Sequence, residues 1–181
     1  MITNDKNELW VFGYGSLMWR PGFPFDVQAP GLLKGAHRAL CVYSIYYRGT
    51  PEQPGLVLGL DRGGACRGAA FRVRPGAEEE TIAYLREREQ ITAVYVEAYR
   101  NVRLLDGSGR TVKALTYLAD PAHEQYAGGL SLEEQLRIVQ NCCGQAGANA
   151  EYVLNTVRHL EDEGVHDAIL AKLAAKLTSG A

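Results

Sequence analysis

The sequence predicts an α+β fold: a small mixed β-barrel-like sheet, curved or closed, with an internal helix and C-terminal helices. Three observations predict it. Runs rich in aromatic and β-branched residues crowd the chain as far as Asp120, which is strand chemistry. One helical pattern, over Ala77–Gln90, interrupts them. From Ser131 onward the chain reads as helix. Strands and helices do not alternate regularly, so a doubly wound parallel sheet is not expected.

Each element has its own signal. "LWVFGYG" is short, aromatic and β-branched, and stops at glycine. "LLKGAHRALCVYSIYY" reads as one long bent strand, and "GLVLGL" and "CRGAAFRV" as two more around a turn at "DRGGA". Pro75-Gly76 then breaks the strand pattern, and Glu78, Glu79 and Glu80 stand where acids favour a helix N-terminus. "AVYVEAYRNVRLL", the turn "DGSG" and "TVKALTYLA" predict a hairpin over residues 93–119. Ser131 with Glu134 three positions on is a capping-box pattern for the next helix. "NAEYVLNTVRHLEDEG" puts Val153, Val157 and Leu160 on one face and stops at Gly164, "HDAILAKLAAKL" is a last helix, and "TSGA" is expected to fray.

A chain of 181 residues with 46% hydrophobic and 22% charged residues is enough for one domain over 1–181 with a sizeable core. A formal net charge of -2 gives no footprint for nucleic acid or an anionic membrane. The start "MITNDKNELW" lacks a basic stretch followed by an apolar run, and no segment approaches a membrane span, so a cytoplasmic location is expected. Cys41, Cys66, Cys142 and Cys143 form no C-x-x-C pair, and the histidines His37, His123, His159 and His166 have no ligand spacing. Free thiols are expected, with no metal site. The sequence assigns no oligomeric state.

Two features point to chemistry. The first is "FGYGSLMWRPGFPF", where small residues allow backbone amides to approach a ligand and Tyr14, Trp19, Phe23 and Phe25 stand ready to wall a pocket. It is not a dinucleotide fingerprint, since Met18 occupies the third glycine position. It is not a nucleophile elbow, since Tyr14 and Met18 flank Ser16. Two readings remain: an anion nest of open amides, or a tight turn whose glycines only relieve strain. The second feature is the helix over Ala77–Gln90. Ile82 and Leu85 define an apolar stripe, and Glu89, seven positions after Ile82, falls within about 20° of it. Glu87 and Arg88 fall away from it. A carboxylate aimed at apolar surroundings has its charged form disfavoured, which suits a proton shuttle near neutral pH; a turn outward to solvent, or a pairing with Arg86 or Arg88, is the structural alternative.

Taken together, "VFGYGSLMWRPGF", "YRGTPEQPGLVLGLDRGGACRGAAFRV", "YLREREQITAVY", "ALTYLAD" and "GQAGANAEYVLNTVRHL" resemble the ChaC family of γ-glutamylcyclotransferases, in family order and over most of the chain. The resemblance implies the γ-glutamylcyclotransferase-like fold and cofactor-free cleavage of glutathione, or a related γ-glutamyl compound, to 5-oxoproline and cysteinylglycine. It implies Tyr14, Gly15, Ser16 and Leu17 as the substrate-binding loop, Glu89 as the catalytic glutamate, and Tyr95 and Tyr117 as pocket tyrosines. Arg48 is a candidate contact for the glycine carboxylate, with a solvated loop arginine as the alternative, and Asn149 is expected to cap its helix. The loop amides would hold either the substrate's α-carboxylate or the oxyanion. Two departures stand out: Ala93 and Val94 where relatives often have two glycines before Tyr95, and Ala146 where a serine is expected. A cyclotransferase for other γ-glutamyl amines and a non-catalytic regulator associated with cation transport are the rival readings.

Overall fold

The computed structural model describes residues 8–89 and 93–179. Among them the elements are, in order, β1 (Trp10–Gly13), a 3₁₀ turn (Ser16–Met18), β2 (Phe25–Ser44), β3 (Gly55–Val73), α1 (Glu78–Glu89), β4 (Tyr95–Leu104), β5 (Thr111–Ala119), α2 (Leu132–Asn141), β6 (Cys143–Gly144), β7 (Gly147–Ala148), α3 (Asn149–Asp162) and α4 (Ala168–Ser179). Five strands close a barrel in the order β1-β3-β2-β4-β5. The sheet is mixed: β1 runs antiparallel to β3 and parallel to β5. The chain divides into two compact units, Met1–Arg38 with Leu60–Asp120, and Ala39–Gly59 with Pro121–Ala181.

In the first unit the pleat sorts side chains inward and outward. A side chain at Gly31 would meet Val102, Ala70 and Phe12, one from each of three other strands, so these positions mark the barrel interior. Thr116 belongs with them and donates its hydroxyl to Phe12 O at 3.1 Å. The opposite parity carries Phe71, against which Phe23 and Phe25 pack edge-on with ring centroids 5.7 and 5.1 Å away. Two of the aromatics expected to wall a pocket therefore form an apolar cluster.

Two strand expectations needed correcting. "DRGGA" is not a turn between strands. The ladder runs through it as part of β3, with Gly63 and Gly64 at φ +89° and +68°, values that glycine alone adopts cheaply. Likewise β2 is Phe25–Ser44, so it begins well before the expected run at Leu32, passes through Pro30-Gly31 and ends before Tyr46 and Tyr47. Proline lacks only the N–H, and Pro30 O still accepts from Leu105 N at 2.7 Å. The hairpin is as expected, with β4 and β5 paired from Tyr95↔Ala119 to Arg103↔Thr111.

In the second unit α2, α3 and α4 bury Val139, Val153, Leu160, Leu170 and Leu173. The Ser131–Glu134 capping box forms reciprocally, with bonds of 2.8 and 3.2 Å. Gly164, at φ +72°, ends α3. Gly164 N donates to Glu161 O and Val165 N to Leu160 O, at 2.9 and 2.8 Å, the paired bonds of a Schellman stop. The last helix runs to Ser179, so Thr178 and Ser179 are helical rather than frayed, while Gly180 and Ala181 lie outside the described residues. Asn149 does not cap α3. Ala148 is the cap residue, and the fully buried Asn149 side chain accepts from Leu56 N at 2.7 Å and donates to Leu56 O at 2.8 Å. An amide group carries one donor and one acceptor side by side, so it pairs with a strand backbone as another strand would.

Candidate active site

The β4–β5 register sets the first part of the site. Residues directly opposite in an antiparallel pair share a face, and Glu97 stands opposite Tyr117. Tyr95, two positions before Glu97, shares that face. It has the opposite parity to Thr116, so it is the outer face of the barrel wall. Tyr117 is 1% exposed and donates its hydroxyl to Glu97 Oε2 at 3.3 Å. Arg86 of α1 reaches the same carboxylate with Nε and Nη2, at 2.8 and 2.9 Å. This bidentate pairing holds the Glu97 carboxyl below its ordinary range. Burial, and then the neighbouring Glu97 and Glu89 carboxylates, push the Tyr117 phenol upward, so it is protonated throughout the working range.

The end of α1 supplies the rest. The buried positions on the helix are Thr81 and Leu85, 1% and 0% exposed, with Ile82 only half-buried. The inward direction therefore centres on Leu85. At 100° per residue Glu89 lies about 40° to one side of it and Arg88 about 60° to the other. Glu89 is turned inward, as the sequence reading held, with its side chain 17% exposed. Arg88, expected to point away, is turned inward too, at 24%. Burial raises the Glu89 carboxyl above its ordinary value, and the Arg88 charge, with Nε 3.4 Å from Glu89 Oε1, partly opposes this. The proposed final residue of the helix, Gln90, lies outside the described residues.

Arg88 also joins the helix to the loop after β1. Its guanidinium donates to Ser16 Oγ at 2.7 Å, Arg20 O at 2.8 Å and the Tyr84 hydroxyl at 2.9 Å. The loop itself is a single 3₁₀ turn in which Gly15 O accepts from Met18 N at 2.9 Å. The amides of Gly15, Ser16 and Leu17 precede that first bond, so the turn does not consume them. Gly15 has φ -135°, outside the left-handed region that reserves a position for glycine. Tyr14 and Leu17 are buried and Ser16 is exposed. Behind the loop, the buried Arg38 donates to Tyr14 O at 2.5 Å and to Arg67 O at 2.6 Å. In a trans peptide the N–H points opposite to the C=O, so this bond fixes the direction of the Gly15 amide.

The structure thus brings Ser16 and Glu89 together through Arg88, and Tyr117 into electrostatic reach of Glu89. Tyr95 is half-buried at the start of β4. Arg48 lies in the other unit. Its Nη1 donates to Ala146 O and Ala148 O at 2.6 and 3.4 Å, and the guanidinium stands over the Tyr152 ring at 5.3 Å. It secures the glycine-rich turn rather than hanging in solvent. Ala146 serves that turn through its backbone, which explains why a serine hydroxyl is dispensable there. Ala93 has φ +54°, a conformation suited to the glycine it replaces. Sequence reasoning missed Arg38, Arg88 and Glu97. For Glu97 there was a signal: counting outward from "DGSG" brings position 97 to within about one residue of 117. Among the described residues no group of three or more His, Cys, Asp and Glu side chains is arranged to hold a metal ion.

A family model described as ChaC-like protein matches residues 9–179. The chain belongs to the ChaC family. Among curated ChaC relatives, the glutathione-specific gamma-glutamylcyclotransferase of Escherichia coli is 34% identical over 172 residues, covering 92% of this chain and 74% of that one. Glutathione-specific gamma-glutamylcyclotransferase 1 of Danio rerio is 35% identical over 155 residues, covering 84% and 79%. Among solved structures, a yeast gamma-glutamyl cyclotransferase specific to glutathione superposes with a TM-score of 0.82 over 96% of this chain and 97% of that one, at 21% identity. That is a likeness of fold, and it places the mixed barrel with its helices in the γ-glutamylcyclotransferase-like class.

Proposed function

We propose that this chain is a glutathione-degrading γ-glutamylcyclotransferase in which Glu89 is the general acid and base. The observation that carries the reading is the Glu89 carboxylate, largely buried, shifted upward by that burial, and tied through Arg88 to the loop after β1. The ChaC membership supplies the reaction class. The α-amine of the γ-glutamyl group attacks its own γ-carbonyl, so nucleophile and electrophile are one molecule and the protein mainly holds a reactive rotamer. The new C–N bond closes the five-membered lactam and the old amide C–N bond breaks. Glu89 takes the proton from the attacking amine and returns it to the departing amine of cysteinylglycine, so no water is consumed. The amides of Gly15, Ser16 and Leu17 hold the α-carboxylate, which leaves the amine facing Glu89. Tyr95 and Tyr117 orient the γ-glutamyl group. The residues 1–181 act as one functional domain. Cys41, Cys66, Cys142 and Cys143 form no disulfide, which suits a reducing compartment, and the cytoplasm is the proposed one.

Incubation with glutathione is expected to release 5-oxoproline and cysteinylglycine in equal amounts. Glu89→Gln is expected to abolish turnover while glutathione still binds, and Glu87→Gln to leave turnover unchanged. Equal rates with γ-glutamyl amines that lack the glycine carboxylate would transfer the assignment to a broader cyclotransferase. A folded Glu89→Gln protein with near-normal turnover would overturn the mechanism.

A further inference from the structure

In the proposed reading Tyr117 orients the substrate, and its hydroxyl proton is already committed. The phenol has one proton to donate, and Glu97 Oε2 accepts it at 3.3 Å. Glu97 cannot release that role easily, because its carboxylate is gripped at both oxygens by Arg86, at 2.8 and 2.9 Å. An ionised carboxylate only accepts, so the direction of the Tyr117–Glu97 bond is fixed. What the phenol has left is its oxygen lone pairs. A tyrosine in this state rejects a carboxylate or carbonyl oxygen and accepts from an N–H. Within the substrate of the proposed reaction two groups beside Glu89 carry N–H: the scissile amide has a single one, whereas the γ-glutamyl α-amine has N–H to spare after one has gone to Glu89.

Resting on that reading of the reaction, we propose that Glu97 is a positioning residue: by accepting the Tyr117 proton it makes Tyr117 an acceptor for the substrate's α-amine. The division of labour then fits the attack. Glu89 takes one proton of the amine, Tyr117 fixes another N–H, and the nitrogen lone pair is left to aim at the γ-carbonyl carbon. Arg86 contributes by keeping Glu97 ionised and in place. The arrangement is set by strand register, since Glu97 and Tyr117 are direct cross-strand partners, and by α1, which brings Arg86 over them.

The test compares two ligands that differ only in the amine: glutathione and glutaryl-cysteinylglycine, the same tripeptide without it. Titration calorimetry is run on the full chain in a Glu89→Gln background, so that glutathione is not consumed. That protein is expected to prefer glutathione by about tenfold or more, the scale of one charge-assisted hydrogen bond. Adding Glu97→Met, which retains the length and removes both acceptor oxygens, is expected to shrink the preference to about threefold or less. Tyr117→Phe, which removes only the hydroxyl, is expected to do the same and serves if Glu97→Met fails to fold. Combining the two is expected to add nothing further. With Glu89 restored, Glu97→Met is expected to raise KM more than it lowers kcat. A merely structural Glu97 would weaken both ligands equally, and a preference that survives Glu97→Met or Tyr117→Phe overturns the proposal. Failure of the reaction itself reads differently: the wild-type chain would then release no 5-oxoproline. A wild-type protein that turns glutathione over while its Glu97→Met form keeps the preference sinks this inference alone.

Discussion

Two acidic side chains, eight positions apart, are pushed in opposite directions. Burial raises the Glu89 carboxyl, while the hydrogen bonds from Arg86 lower that of Glu97. A carboxyl whose folded pKa exceeds its unfolded one contributes stability below the unfolded pKa and loses it as pH rises through the folded value. Ionised Glu89 therefore weakens the fold at neutral pH. Glu89→Gln is expected to melt above wild type at about pH 7, with the gap closing toward about pH 4 as the wild-type carboxyl protonates. Melting points that coincide at both pH values would put Glu89 in ordinary solvation. Glu97 has the reverse sign, and its contribution is present above the unfolded pKa and lost on acidification through the folded one. Catalysis by the proposed mechanism follows the same logic, because Glu89 must be ionised to accept a proton. Arg88 opposes the burial of Glu89, so Arg88→Gln is expected to move the acid limb of kcat/KM to higher pH, beyond any fall in rate from the lost Ser16 bond. An unmoved limb would confine Arg88 to holding the loop.

At the scale of elements, α3 clasps β3 in the second unit through Asn149, which bonds Leu56 twice, and through Tyr152, whose hydroxyl accepts from Leu58 N at 3.0 Å. Asn149→Ala would leave Leu56 N and Leu56 O, both now bonded to the amide, without partners in a buried position. About 2–4 kcal/mol of destabilisation is expected from stranding these groups, read as a fall in the urea midpoint. Asn149→Asp is expected to recover little, since a carboxylate accepts from Leu56 N but cannot donate to Leu56 O. A loss near zero would mean that water replaces both bonds. The same scale explains the loop after β1. Arg38 and Arg88 bind it through Tyr14 O and Ser16 Oγ, so its shape is set by partners distant in sequence rather than by glycine content.

For the whole molecule, the proposed reaction is internal to one substrate and is served by proton transfer alone. Treatment with a chelator is expected to leave 5-oxoproline release unchanged; a rate that falls and returns with one specific divalent ion would show the site misread. Of the proposed site, Tyr14, Gly15, Ser16, Leu17, Glu89, Tyr95 and Tyr117 all belong to the unit that carries β1, α1, β4 and β5. Arg48 belongs to the other, where it holds the glycine-rich turn.

Local chemistry alone determined a good deal: the hairpin, the capping box, the glycine stop of α3, the existence of β1 and the inward Glu89. Each depends on spacing within one or two turns or on the preferences of single residues. The tertiary structure decided the rest. β3 continues through "DRGGA" because pairing along a ladder outweighs the turn preference of two glycines. Asn149 abandons its cap because a buried strand backbone offers it both a donor and an acceptor. Arg88 turns inward because the loop after β1 supplies acceptors that no helical wheel contains. The pairing of Glu97 with Tyr117 was within one residue of legible, but in a ladder of period two a single-residue slip exchanges the faces. Only the closed barrel fixed which face those two side chains share.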